Sequence, residues 1–236
     1  MNLQNKTAIV TGASIGLGLA ISKALVQKGC TVYGISRSTD KLLTIQNELG
    51  NQFIPVSLDV SQKEMVKNWV NTTFSKTAQI DILINNAGIG YFGKIEEMED
   101  GIWENLVNTN LNGMYYMTSQ IVPFLKENTA TTHIINIGSV IGKVGREDSA
   151  AYCATKFAVS GFSESLFKEL RTFDIKVTCV NPGSIETNFF KNIGIEKSYT
   201  MMQPNDVANT IIHVLETPDN ILIDEITLRP LNTNKP

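Results

Sequence analysis

The sequence predicts a single α/β domain built on a doubly wound parallel sheet of about seven strands. Three observations carry that expectation. Short apolar, strand-like runs alternate with amphipathic helical stretches along the whole chain, the pattern of a parallel sheet covered on both faces. The first such run, Thr7 to Val10, passes through a glycine-rich turn directly into an apolar helical pattern. Polar and glycine-containing motifs then recur just beyond the carboxyl ends of later runs, where open sheets of this kind hold ligands. The 236 residues suffice for one large core, and no Pro/Gly/Ser-rich linker, internal repeat or low-complexity tract divides them, so one domain over 1–236 is expected.

Strands are expected near 6–11, 31–35, 53–58, 80–85, 132–138, 175–180 and 221–228, with helices filling the gaps. In the first unit, Leu19, Ala20, Ile21, Ala24 and Leu25 form the apolar stripe of a helix that ends at Gly29. The turn before it reads Thr11-Gly12-Ala13-Ser14-Ile15-Gly16-Leu17-Gly18. Gly12 permits the turn, Gly16 lets the backbone approach a pyrophosphate, Gly18 lets helix and strand pack closely, and the helix N-terminus faces the anion. The second strand, Thr31 to Ile35, runs into Ser36-Arg37-Ser38. An acidic residue there would accept hydrogen bonds from ribose hydroxyls and repel a 2′-phosphate. The tripeptide has none; Arg37 offers a planar, permanently charged fork and Ser36 or Ser38 a hydroxyl, which favours NADP, with NADPH preferred over NADH.

The third strand leads to Asp59 and the fourth ends in Asn85-Asn86-Ala87-Gly88. The two longest helices are expected from about Ile102 to Glu127, carrying Asn110, and from about Ala151 to Thr172. Between them, the run Ile134, Ile135, Ile137 delivers Ser139, and the second helix carries Tyr152 and Lys156 one turn apart on one face. A phenol has an unperturbed pKa of about 10, but an ammonium beside it favours the phenolate, so Tyr152 can exchange a proton with a reacting oxygen that Ser139 also hydrogen-bonds. The sixth strand is followed by Pro182-Gly183, Ile185 and Thr187. The stretch 184–203 holds Phe189, Phe190, Ile193, Ile195, Tyr199, Met201 and Met202, too many large apolar groups for a solvated loop. It is expected to act as a lid over substrate, with Gly194 helping it bend.

On these residues the chain resembles the short-chain dehydrogenase/reductase family over nearly its whole length. The glycine spacing is that family's Thr-Gly-x-x-x-Gly-x-Gly, and Asp59, Asn85-Asn86-Ala87-Gly88, Asn110, the Ser139, Tyr152 and Lys156 set, and Pro182-Gly183 with Thr187 follow in register. The resemblance implies a Rossmann-like sheet and an oxidoreductase in which Ser139, Tyr152, Lys156 and Asn110 are catalytic. It assigns Gly12, Ser14, Ile15, Gly16, Gly18, Arg37, Asp59, Asn86, Ala87, Gly88, Tyr152, Lys156, Pro182, Gly183, Ile185 and Thr187 to the cofactor, with Asp59 at the adenine and Lys156 at the nicotinamide ribose. It also implies a water held by the disturbed helix at Asn110, and a homodimer or homotetramer built on the two long helices. Two departures stand out: Gly138 replaces a serine that many members carry, and little chain follows Leu228-Arg229-Pro230 to cover the substrate or a neighbouring subunit.

Composition narrows the rest. The net charge of −3 is modest and interspersed, which argues against nucleic acid or an anionic membrane surface. No apolar run reaches the roughly 20 residues of a membrane span, and Met-Asn-Leu-Gln-Asn-Lys is no secretory leader, so a cytoplasmic location is expected. Cys30, Cys153 and Cys179 lack disulfide or metal-site spacing, and no metal is expected. His133 and His213 read as structural or surface residues. Val140, Ile141, Val144, Tyr91 and Phe92 suggest apolar walls and therefore a small neutral ketone, aldehyde or acyl-type carbonyl. The expected activity is NADP(H)-dependent carbonyl reduction or alcohol oxidation. Within the same class, a 3-oxoacyl-thioester reductase served by an acyl carrier protein is the alternative, hinted at by Lys126, Lys168 and Arg171. From another class, a non-catalytic NADP-binding redox sensor would need only the glycine loop.

Overall fold

The structure is a computed structural model that describes residues 1–75, 77–187, 189 and 201–231. Seven strands are laid down in chain order: β1 (Thr7–Thr11), β2 (Thr31–Ser36), β3 (Phe53–Ser57), β4 (Ile82–Asn85), β5 (Thr132–Ile137), β6 (Ile175–Pro182) and β7 (Glu225–Leu228). They form one sheet in the order β3-β2-β1-β4-β5-β6-β7, and every neighbouring pair is parallel. The chain therefore builds outward from β1 to β3, then returns to place β4 on the other side of β1. That reversal opens the crevice at the carboxyl ends of β1 and β4.

The helices are α1 (Gly16–Gln27), α2 (Thr39–Leu49), α3 (Lys63–Thr73), α4 (Ile102–Val107), α5 (Gly113–Glu127), α6 (Ala150–Leu170) and α7 (Pro204–Leu215). Helices α1, α2 and α7 bury Ile21, Leu25, Leu42, Ile211 and Leu215 against Val10, Ile84 and Val180 on one face of the sheet. Helices α3, α5 and α6 bury Val66, Val70, Ile121, Leu125 and Leu166 against Ile9, Leu83, Ile134 and Val177 on the other. Covered on both faces, β4 and β5 have every residue buried, the polar Asn85, Thr132, His133 and Asn136 included.

Two expected elements differ. The helix expected from Ile102 to Glu127 is broken by a π-helical turn, Asn108–Asn112, between α4 and α5. There the Asn110 carboxamide leaves the helical pattern to bond Ile89 on both of its backbone groups, with distances of 2.8 and 2.9 Å. The last strand begins at Glu225, four residues later than the apolar pattern suggests. Ile223 packs on the core instead, and its carbonyl accepts the Thr178 hydroxyl at 2.5 Å.

Candidate active site

The crevice at the carboxyl ends of the strands has a volume of about 620 Å³. Its walls include the turn after β1, the end of β2, Asp59 after β3, the loop after β4, Ser139 after β5, Tyr152 and Lys156 of α6, and the backbone after β6. Of the residues expected at the site, Asn110 lies behind the wall, and of the expected apolar walls Tyr91 and Val144 do not line the crevice, Val144 being exposed.

The glycine turn is shaped for a backbone-bound anion. Gly12 and Gly16 have φ of +67° and +56°, the left-handed region that side chains disfavour. A Cβ on Gly18 would strike the Gly12 carbonyl and the Asn86 carboxamide, so α1 can pack this close only through glycine. No side chain caps the start of α1 at Ile15, and no acidic residue occupies its first turn. Its amide groups and positive dipole end therefore face the crevice without an internal partner. Thr11 fixes the turn: its hydroxyl accepts the N–H groups of Asn86 and Ala87, both at 2.9 Å, while the Asn86 carboxamide donates to the Thr11 carbonyl at 2.8 Å. These features fit a dinucleotide pyrophosphate.

At the end of β2, Arg37 is exposed and lines the crevice with Ser36, Ser38 and Lys41. Lys41 was not anticipated, although it follows Arg37 by four residues at the start of α2. Asp40 does not line the crevice, so the end of β2 presents cations and no carboxylate. The Ser36 hydroxyl is already engaged, donating to Ser14 Oγ at 2.7 Å and accepting the Ser38 N–H at 3.2 Å. It ties two loops together, whereas Ser38 is exposed where it lines the crevice. Asp59 accepts the backbone N–H and the hydroxyl of Ser61 through one carboxylate oxygen, at 2.9 and 2.7 Å.

At the other end, Ser139, Tyr152 and Lys156 are all buried and all line the crevice. Ser139 leaves β5 in extended conformation (φ −169°), which directs its side chain out of the strand, and its oxygen accepts the Ile141 N–H at 3.3 Å. A hydrogen bond from Ser139 draws the Tyr152 phenol pKa down, but desolvation is the larger effect and pushes it above its ordinary value. The expected depression by Lys156 does not emerge; burial outweighs it. Burial also pushes the Lys156 ammonium down to about 8, with a smaller opposing influence from Cys179. Lys156 Nζ lies 5.8 Å from the Tyr152 ring centre and donates to the Ile137 carbonyl at 2.8 Å. Asn110 supports this helix by donating to Thr155 Oγ1 at 3.0 Å.

Apolar rings enclose the phenol. Phe92 and Phe189 lie 5.6 and 5.7 Å from the Tyr152 ring, centre to centre. Beyond them, Ile185 pairs with Met202, and the Met202 N–H donates to the Ser184 carbonyl at 3.0 Å. Met202 was expected in the lid; it packs on the core beside α7 instead. Phe190, Ile193, Gly194, Ile195 and Tyr199 of the expected lid lie outside the described residues.

Neither histidine and none of the three cysteines lines the crevice. His133 lies within β5 and is fully buried, a structural residue and not a surface one. Burial, then Lys176, then the N-terminal ammonium push its pKa down to about 3. Cys30 and Cys179 are buried free thiols whose pKa burial raises, Cys30 to about 12. Cys153 donates to the Ile141 carbonyl at 3.3 Å. Among the described residues, no cluster of three His, Cys, Asp or Glu side chains can hold a metal, and no helix is long and apolar enough to cross a membrane.

With this geometry in view, comparison with known proteins is specific. The family model for short chain dehydrogenases matches residues 6–198. An uncharacterized oxidoreductase of Staphylococcus saprophyticus is 32% identical over 98% of this chain and all of its own length. A 3-oxoacyl-[acyl-carrier-protein] reductase of Vibrio harveyi is 33% identical over 97% of this chain and 96% of its own. Among solved structures, a serine dehydrogenase in its closed form with NADP+ superposes with a TM-score of 0.88 at 29% identity, covering 94% of this chain and 93% of its own. A 3-ketoacyl-(acyl-carrier-protein) reductase from Brucella melitensis complexed with NADH gives 0.89 at 27%, covering 97% and 98%.

Proposed function

The chain belongs to the short-chain dehydrogenase/reductase family, and on that premise we propose that it is an NADP(H)-dependent oxidoreductase acting on a carbonyl or secondary alcohol, with Tyr152 as the general acid/base. The observation that carries this reading is the convergence of Ser139, Tyr152 and Lys156 on the crevice that also holds the glycine turn and Arg37. The glycine turn, the uncapped start of α1, Arg37, Lys41 and Ser38 would hold the dinucleotide, and Lys156 its nicotinamide ribose. When bound, the nicotinamide supplies or accepts the hydride.

The protein's own part is to bind the substrate oxygen and move one proton. Ser139 donates a hydrogen bond to that oxygen as negative charge develops on it. Tyr152 gives its phenolic proton to the same oxygen in reduction and takes it back in oxidation. In the free protein the phenol is protonated, the form that reduction requires, although burial by itself makes it a weaker acid. Phe92, Phe189 and Ile141 exclude water from the reacting centre.

Similarity to the Vibrio harveyi reductase supports a second reading within this chemistry, reduction of a 3-oxoacyl thioester. The exposed Tyr115 and Phe157 on the two long helices support a homodimer or homotetramer, which sedimentation would test. The deciding experiment measures NADPH binding and turnover of aldehydes, ketones and 3-oxoacyl thioesters in the unaltered protein and in Tyr152→Phe. NADPH binding should persist in the variant while turnover nearly vanishes. Binding without turnover of any carbonyl by the unaltered protein would favour a redox sensor instead.

A further inference from the structure

Arg146 is the cation of the crevice that the cofactor reading leaves without a task. Four basic side chains line the crevice: Arg37 and Lys41 at the end of β2, Lys156 beneath the site, and Arg146 at the substrate end. Asp59, beyond β3, is the one carboxylate among the described lining residues. A chain of net charge −3 thus presents an electropositive ligand crevice at both ends.

The placement of Arg146 is specific. Its guanidinium carbon lies 5.2 Å from the centre of the Phe92 ring, and that ring lies 5.6 Å from Tyr152. A guanidinium over an aromatic face is held in place without losing its hydrogen-bond donors, which stay in the ring-parallel plane. The loop beneath is pinned twice: the Ser149 hydroxyl donates to the Arg146 carbonyl at 2.7 Å, and the Gly93 N–H to the Asp148 carbonyl at 2.7 Å. Asp148 takes a left-handed φ of 54°, and of the consecutive charges Arg146, Glu147 and Asp148 only the arginine lines the crevice. Among the described residues Arg146 forms no ion pair.

Resting on the oxidoreductase reading above, we propose that Arg146 binds a carboxylate on the substrate, separated by a short apolar spacer from the carbon that reacts at Tyr152. The substrate class is then an oxo acid or its hydroxy acid, in place of the neutral carbonyl that the apolar walls alone suggest. The spacer lies along Phe92, Ile141 and Phe189, and the carboxylate accepts from the guanidinium fork. A neutral ketone would use the same apolar wall yet leave this cation idle.

The test compares straight-chain oxo acids with their methyl esters, NADPH as reductant, in the unaltered protein, Arg146→Gln and Arg146→Lys. The unaltered protein should prefer acid over ester in kcat/KM. Arg146→Gln should lower the acid-to-ester ratio ten- to a hundredfold, mainly through the KM of the acid, and Arg146→Lys should lose less. Equal use of acid and ester by the unaltered protein, or a ratio unchanged in Arg146→Gln, overturns the proposal. So does a preference for a phosphopantetheine thioester over the free acid that disappears in the same variant, which would assign Arg146 to the phosphate. A parallel calorimetric titration of hexanoate into NADPH-loaded Tyr152→Phe separates this from the parent reading. Arg146-dependent binding there upholds the carboxylate site even if no carbonyl is turned over, and its absence overturns it.

Discussion

The side-chain oxygen of Asn181 fills the space that a Cβ on Gly138 would need, and from there it accepts the Ser139 N–H at 3.1 Å. Gly138 and Asn181 are thus two halves of one arrangement: loss of the family's first serine makes room for a fully buried carboxamide that holds the second. Gly138→Ser should destabilise by about 1–3 kcal/mol through overpacking, and Asn181→Ala by a similar amount through a lost buried hydrogen bond. Both should lower kcat by disturbing Ser139. The double variant should recover much of the stability and rate lost by Gly138→Ser, because the clash is gone. Thermal denaturation and kcat for the four proteins give the coupling; strictly additive losses would show that the two positions act independently.

Cofactor choice rests on the end of β2. Arg37→Asp should remove one charge-assisted contact to a 2′-phosphate and add repulsion, shifting the NADPH-to-NADH ratio of kcat/KM by roughly ten- to a hundredfold. Lys41 lines the same end, so Lys41→Ala should give a smaller shift in the same direction. Equal efficiency of the unaltered protein with NADPH and NADH would refute the assignment to NADP.

Elements made of consecutive residues were legible in the sequence. The run Thr7 to Val10 and the three glycines after it specify strand, turn and helix within a few residues, and the separation of Tyr152 and Lys156 is intrinsic to a helix. What escaped notice depends on tertiary contacts. The family resemblance already implied a disturbed helix at Asn110, but not that its carboxamide would bond both backbone groups of Ile89, 21 residues away along the chain. Arg146 gains its position from Phe92, and Ser36 loses its free hydroxyl to Ser14. For His133 the sequence leaves open a structural or a surface place, because its partner Thr178 arrives only when β6 pairs with β5.

Lys156 should make cofactor binding pH-dependent. Burial holds its pKa near 8 in the free protein, so the ammonium is lost as pH rises through that value. Acceptor oxygens of a bound ribose favour the charged form and raise the pKa, so binding takes up a proton above pH 8 and affinity falls there, by at most about tenfold per pH unit. Calorimetry at pH 9 in buffers of different ionisation enthalpy should register this uptake, and Lys156→Ala should abolish it. Affinity for NADPH that stays constant between pH 7 and pH 9.5 would remove Lys156 from the binding site.

The last prediction concerns acid stability. Thr178 gives its single hydroxyl proton to the Ile223 carbonyl, so the 2.8 Å contact with His133 Nε2 requires that nitrogen to be the donor. His133 Nδ1 is then a buried acceptor with no partner among the described residues, and protonating it would place an uncompensated charge beside Lys176. The folded-state pKa is lowered to about 3, below the ordinary value of 6.5, so between those limits the unfolded chain binds a proton that the folded one refuses. Stability contributed by this group is therefore intact above pH 6.5 and declines as pH falls toward 3, approaching about 1.4 kcal/mol per pH unit within that window. His133→Leu should lose some stability at pH 7 with the Thr178 hydrogen bond, yet show a flatter decline between pH 6.5 and pH 4. Denaturation midpoints of both proteins across that range decide the matter. Parallel declines would show that His133 is not the group whose protonation opens the fold.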